Sequence, residues 1–167
     1  MKILLRLKHW QMFLILFLPF IFTDDSTVGQ IVQIAWFTIY LGWVYTIGTA
    51  SYDRLPEGHG IKPTYFKVSF LFLIVYLTAI TFLFNGGYSI NQDNYKEFGN
   101  SIWVIIPLHI YLMWSIMYVF YFAAKMLMST IEGKVVGFDK SFGYFFAFWF
   151  FPIGVWYIQP KAQKLIS

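Results

Sequence analysis

The feature that most constrains this chain is the stretch from Val28 to Ala50, in which no residue is Asp, Glu, Lys, Arg or His. A helix rises 1.5 Å per residue, so about 20 apolar residues are needed to cross roughly 30 Å of bilayer hydrocarbon. Apolar blocks of similar length follow at 66–84 and 102–124. The sequence therefore predicts at least three membrane-spanning helices.

The composition predicts an all-α, polytopic integral membrane helix bundle. Hydrophobic residues make up 59% of the chain and charged residues 12%, whereas ordinary soluble domains contain about 25% charged residues. The short connectors between apolar blocks leave no room for a separate soluble core, which indicates a single transmembrane domain over residues 1–167. The basic residues lie at the ends of apolar blocks, so the lipid bilayer is the expected partner and nucleic acid is not.

The first apolar block, 10–22, is shorter and follows Lys2, Arg6 and Lys8, as in a signal peptide. The Pro-Phe-Ile-Phe-Thr sequence at its end offers no small-residue cleavage site. We interpret the block as an uncleaved first helix that crosses the membrane. It raises the predicted count to four spans.

The last block, 142–158, is rich in aromatic residues and carries Pro152 and Gly154 near its centre. Proline lacks a backbone donor and glycine is a weak helix former, so these two residues predict a helix break. Each resulting piece of about nine residues reaches roughly 13 Å as a helix, near half of the hydrocarbon depth. The segment is therefore re-entrant, interfacial or a kinked fifth span.

The distribution of Lys and Arg predicts the orientation, because these residues are enriched in cytoplasmic connectors. With a cytoplasmic N-terminus and four spans, Lys96 is the only Lys or Arg before the last block that lies outside. A last block that crossed the membrane would export Lys161 and Lys164, so the charge rule favours a cytoplasmic C-terminus. The remaining basic residues are then all cytoplasmic: Lys2, Arg6, Lys8, Arg54, Lys62, Lys67, Lys125, Lys134 and Lys140.

Two stretches carry a resemblance. The sequence Leu-Lys-His-Trp-Gln-Met-Phe at 7–13 and the F-P-I-G-x-W-x-I-Q-P pattern at 151–160 resemble a group of short, uncharacterised bacterial multi-pass membrane proteins. The resemblance implies a bacterial inner (plasma) membrane location and no particular chemistry.

A polar layer is predicted inside the bundle. His109 is the one ionisable residue deep in any of the three long apolar blocks, and such residues usually face the bundle interior. Gln33, Thr78 and Thr81 fall near the same level, counted from the outer ends of their helices. The layer is either interhelical hydrogen bonding, for which Pro107 frees a backbone carbonyl, or part of a proton or ion pathway; a metal site is the weakest alternative.

Small side chains recur every four residues in the second span, at Thr38, Gly42, Thr46 and Ala50. Such a stripe lets helices approach closely. It predicts a helix-packing face, used within the chain or between two copies.

Three groups capable of chemistry lie in one connector, at Asp53, Glu57 and His59, with glycines on both sides of His59. A solvated turn has the same composition. Nucleotide-binding and hydrolase motifs are absent from the sequence, and without cysteine the chain has no thiolate metal site, so we expect no catalytic residue, cofactor or metal.

Three functions follow from these patterns. The leading hypothesis is a non-enzymatic accessory or scaffold subunit of a larger inner-membrane complex. The alternative is a homo-oligomeric ion channel or pore. The third and least favoured hypothesis is an enzyme that acts on lipid or quinone through Asp53, Glu57 and His59 of this connector.

Overall fold

The structure of the chain, a computed structural model, describes residues 3–21, 26–83, 99 and 102–165. Within these residues the chain forms helices and no strand, which confirms the all-α prediction. In chain order the helices are α1 (Ile3–Arg6), α2 (His9–Phe17), α3 (Thr27–Tyr52), α4 (Thr64–Leu83), α5 (Ile102–Glu132), α6 (Phe138–Trp149) and α7 (Phe151–Gln163).

Three helices are long and apolar enough to cross a membrane: Thr27–Tyr52, Thr64–Phe82 and Trp103–Glu132. They correspond to the three long apolar blocks of the sequence, and α5 continues eight residues beyond its predicted end at 124. Aromatic rings bind the three together, since the Phe66 ring of α4 lies 5.3 Å from Tyr45 of α3 and 4.3 Å from Phe122 of α5. These helices suit a membrane protein with several passes.

The first apolar block does not form one long helix. It comprises α2 and a 3₁₀ turn, Leu18–Ile21, and Pro19 in that turn lacks the N–H that an α-helix would use. The Trp36 Nε1 atom donates to the Leu16 carbonyl at 2.6 Å, which fixes α2 beside α3. The predicted count of four spans remains a prediction.

The last apolar block forms two helices that fold back on each other, and we call α6 and α7 together the hairpin. The Tyr144 and Tyr157 rings are 5.1 Å apart, and Gly154 lies against the Ala147 backbone, so the two helices are antiparallel. The break is at Phe150 (φ −96°, ψ 64°), two residues earlier than predicted. Pro152 lies in the first turn of α7, where a missing N–H leaves no helical bond unmade.

Both ends of the described chain lie at one end of the bundle. The Arg54 Nη1 atom donates to the Lys164 carbonyl at 2.9 Å, and Thr130 Oγ1 donates to the Ser51 carbonyl at 2.9 Å. Lys2 and Lys96 lie outside the described residues. This end, called the basic end below, holds the described basic residues: Arg6, Lys8, Arg54, Lys62, Lys67, Lys125, Lys134, Lys140, Lys161 and Lys164.

The core is concentrated toward the basic end. Every residue from Tyr40 to Gly48 except Tyr45 is buried, whereas Gly29 and Gln30 are the only buried residues between 27 and 39. In α5, Leu112 is the only buried residue between Trp103 and Trp114. We call residues 27–39, 77–82 and 103–114 the open half of the bundle.

Candidate functional site

Gln159 joins three parts of the chain. It is fully buried, and its Nε2 atom donates to the carbonyls of Leu4 (2.9 Å) and Leu7 (2.7 Å). Its Oε1 atom accepts a hydrogen bond from Trp43 Nε1 at 2.7 Å. A buried amide must find partners to offset the loss of water, and here one amide ties the N-terminal segment, α3 and α7 together.

Trp156 adds an aromatic contact at the same junction. Its ring lies 4.6 Å from the His9 ring and 5.9 Å from the Phe13 ring, both on α2. Gln163 Nε2 also donates to the Leu7 carbonyl, at 2.9 Å. The stretches at 7–13 and 151–160 that carry the resemblance are therefore in contact in the folded chain.

Gly154 allows α6 and α7 to meet. A Cβ atom placed on Gly154 would lie 1.5 Å from the Ala147 carbonyl oxygen and 2.5 Å from its carbonyl carbon. No side chain fits in that space without moving one of the two helices. The predicted break residue Gly154 thus acts as a contact between helices rather than as the break itself.

Tyr40 satisfies a backbone group at the tip of the hairpin. In a continuous helix the Phe148 carbonyl would bond the nitrogen of residue 152, which in this chain is proline and has no hydrogen. The buried Tyr40 hydroxyl donates to the Phe148 carbonyl instead. The Phe148 side chain is fully buried, 5.5 Å from the Trp43 ring, so protein covers the broken backbone.

At the end of the hairpin away from its tip, Lys161 lies between two tyrosines, one on each helix. Its Nζ atom is 3.6 Å from the Tyr157 ring centroid and 4.6 Å from the Tyr144 ring centroid, and it donates to the Tyr144 hydroxyl. The ammonium thus links the two helices of the hairpin near the basic end.

His109 has a partner that the sequence did not indicate. Its Nδ1 atom is 2.6 Å from the Tyr76 hydroxyl of α4 and 3.2 Å from the Ile105 carbonyl of its own helix. Thr78 lines a narrow groove toward α3, and Thr81 Oγ1 donates to the Leu77 carbonyl at 2.8 Å. Tyr76 and His109 thus form a polar contact between α4 and α5.

Gln33 is half-buried in the open half. Its burial alone does not place it in one layer with His109, Thr78 and Thr81. That four-residue layer therefore stays a prediction.

The predicted packing face of α3 is partly inside the chain. Gly42 and Thr46 are buried, Ala50 is half-buried and Thr38 is exposed at the groove toward α4. The Thr46 hydroxyl donates to the Gly42 carbonyl of the same helix at 2.6 Å.

A further close approach in α3 is at Gly48, which the four-residue stripe did not include. A Cβ atom there would lie 2.7 Å from the Phe66 ring and 3.5 Å from the Ala123 Cα atom. The sequence signal for it is a single glycine in a span, which is too common to identify a contact.

The connector between α3 and α4 is a turn. Gly58 and Gly60 have φ of 81° and 71°, values that favour glycine, so the chain bends sharply on both sides of His59. His59 Nδ1 accepts from the Ile61 N–H at 3.1 Å and its ring packs 5.0 Å from Tyr52. Among the described residues no three His, Asp or Glu side chains form a metal-binding group, so Asp53, Glu57 and His59 do not converge.

Comparisons of the chain with protein families, curated proteins and solved structures gave no match. The resemblance stays a prediction, and the site is interpreted from its own geometry.

Proposed function

We propose that this chain is a non-enzymatic accessory or scaffold subunit of a larger membrane complex. The observation that carries the proposal is the contrast between a hydrogen-bonded basic end and an open half whose long helices have few neighbours among the residues that the structure describes. The side chains of Trp103 and Ile110 are 76% and 67% exposed. Packing between membrane helices gains from close contacts, so these surfaces suit the transmembrane helices of another protein.

The proposed arrangement places the basic end in the cytoplasm of a bacterial cell and the complex in its inner membrane. Three long helices span, the N-terminal segment crosses as a broken helix, and the hairpin is re-entrant. The α6 helix has 12 residues and α7 has 13, so each reaches about 18 to 20 Å, less than the roughly 30 Å of hydrocarbon. Irregular backbone at membrane depth requires protein cover, and the Tyr40 contact with the Phe148 carbonyl supplies it.

Photo-crosslinking in native membranes tests the subunit proposal. A photoreactive amino acid in place of Trp103 or Ile110 should give an adduct with one defined, different membrane protein. The same amino acid at Phe142, an exposed position of the hairpin, is the control and should react with that protein much less. Recovery of a lone, uncrosslinked monomer from every position would contradict the proposal.

Topology has its own test. The chain contains no cysteine, so a Ser167→Cys variant carries a single thiol. We expect an impermeant thiol reagent to label it only from the cytoplasmic side. Labelling from outside would make the hairpin a fifth span and would contradict the re-entrant arrangement.

A homo-oligomeric channel is the second candidate. The Tyr76–His109 pair favours it, because a half-buried histidine with a hydroxyl partner inside a bundle is a group that can relay protons or contact ions. This candidate predicts symmetric adducts between copies of the chain and an ion flux that changes in His109→Ala. Unchanged flux in that variant would remove His109 from any pore.

A further inference from the structure

A pocket of about 220 Å³ opens at the surface of the bundle between α5 and α6. Four of its residues, at 114, 117, 118 and 121, follow the spacing that forms one stripe along a helix, and two phenylalanines of α6 close the other wall. The pocket is lined by Trp114, Met117, Tyr118, Tyr121, Phe138 and Phe145. Its surface is formed by rings and a thioether, so it suits a hydrocarbon chain.

A positive charge continues the same stripe toward the basic end. Lys125 is four residues after Tyr121, and its Nζ atom lies 5.7 Å from the centroid of the Tyr121 ring. The 11 residues from Trp114 to Lys125 cover about 17 Å, close to half of the roughly 30 Å of bilayer hydrocarbon. The groove therefore has the length of one leaflet, with the ammonium at the headgroup level.

The other charges near this end leave Lys125 available to an anion. The Glu132 carboxylate, two turns further along α5, lies 3.7 Å from Lys140 Nζ. The Asp139 side chain folds back toward the Gly137 backbone, since its Oδ1 atom would be 2.5 Å from a Cβ atom at Gly137. The Glu132 carboxylate is thus paired with Lys140, and the Asp139 side chain is turned toward Gly137.

We infer that this groove binds one anionic phospholipid of the leaflet at the basic end, with an acyl chain against the aromatic stripe and the phosphate at Lys125. A zwitterionic lipid would fill the apolar part equally well but would meet Lys125 with no net charge. A basic residue near a membrane surface contributes about 1 kcal/mol toward anionic lipid, which corresponds to about a fivefold preference. The inference does not depend on the accessory role, because it concerns lipid and the α5–α6 side of the molecule.

Fluorescence quenching measures this preference. The full chain is reconstituted in phosphatidylcholine vesicles that contain increasing fractions of either brominated phosphatidylglycerol or brominated phosphatidylcholine. The Trp114 signal is obtained by subtracting the spectrum of a Trp114→Phe variant. Trp114 lies at the far end of the groove, where its Nε1 atom donates to the Tyr65 hydroxyl at 3.0 Å. We expect phosphatidylglycerol to quench it at about one fifth of the fraction that phosphatidylcholine requires.

Three variants separate the groove from the general attraction of a basic surface. Lys125→Gln should abolish the preference, Lys125→Arg should retain it, and Lys134→Gln, which removes an exposed lysine at the same end, should leave it unchanged. Equal quenching by the two lipids in the unmodified chain would overturn the inference. So would a preference that survives Lys125→Gln, or one that Lys134→Gln reduces as strongly.

Discussion

The same three long helices are packed tightly at the basic end and loosely in the open half. In α5, the segment from Val119 to Ser129 is buried except for Tyr121, Lys125 and Met128, whereas the segment from Trp103 to Trp114 buries only Leu112. Both segments are apolar, so hydrophobicity does not explain the difference. The difference lies in what surrounds them, because among the described residues α1, α2 and the hairpin add a further layer mainly at the basic end, and this layer reaches the open half at Trp36.

That added layer is held by side-chain bonds to backbone carbonyls. Gln159 bonds the Leu4 and Leu7 carbonyls, Tyr40 bonds the Phe148 carbonyl, and Arg54 bonds the Lys164 carbonyl. Membrane helices cannot rely on the hydrophobic effect to associate within lipid, so packing and such hydrogen bonds determine where they meet. The comparison indicates that the basic end is stabilised by contacts within the chain, whereas the open half presents a surface suited to a partner.

The largest expected effect is that of Gly154→Ala. The new methyl group would meet the Ala147 carbonyl oxygen at 1.5 Å, so α6 and α7 must separate, at a cost of about 3 kcal/mol of stability. Thermal unfolding of the purified chain in mild detergent measures the loss. Gly143→Ala is the matched control, because Gly143 lies in α6 with open space around its Cα atom.

The control variant should be neutral or slightly more stable, since alanine favours a helix over glycine by roughly 0.5–1 kcal/mol. Equal stability of the Gly154→Ala and Gly143→Ala variants would show that the hairpin is not closed as described. The basic end would then lose its main distinction from the open half.

Gln159→Leu should have a smaller but clear effect. The substitution leaves the Leu4 carbonyl and the Trp43 N–H without their bond, while the Leu7 carbonyl keeps its bond from Gln163. We expect a loss of about 2 kcal/mol in the same unfolding measurement. Gln163→Leu is the control and should cost less, because its acceptor, the Leu7 carbonyl, retains Gln159; a reversed order would contradict the central role of Gln159.

The three long helices and a break in the last block could be predicted from local sequence. Apolar runs long enough to span identify α3, α4 and α5, and Pro152 with Gly154 indicates a break in the last block. The break occurs at Phe150 because proline is tolerated in the first turn of a helix, which lets α7 start just before Pro152. An error of two residues in the predicted break changed the role of Gly154 from flexibility to close packing.

The hydrogen bonds of Gln159 to the N-terminal segment and the hydrogen bond of Tyr40 to the Phe148 carbonyl could not be predicted. Gln159 is separated from Leu4 by 155 positions, and Tyr40 from Phe148 by 108, so no spacing rule connects them. His109 was predicted to be a polar group inside the bundle; the partner it has in the structure is a tyrosine on α4 that has no polar signature in an aromatic-rich sequence. Only the rotation of each helix about its axis decides such pairs, and the apolar blocks do not determine it.

The smallest effect on stability is expected in the open half, with Trp103→Ala. Because the Trp103 side chain is 76% exposed, its removal should change the stability of the isolated chain by no more than about 0.5 kcal/mol. In native membranes, however, it should reduce recovery of the partner protein by affinity purification. Trp10→Ala, at an exposed tryptophan of α2, is the control and should leave both quantities unchanged. A stability loss for Trp103→Ala as large as that for Gln159→Leu would mean that the open half is packed within the chain after all, and the surface proposed for a partner would no longer be free.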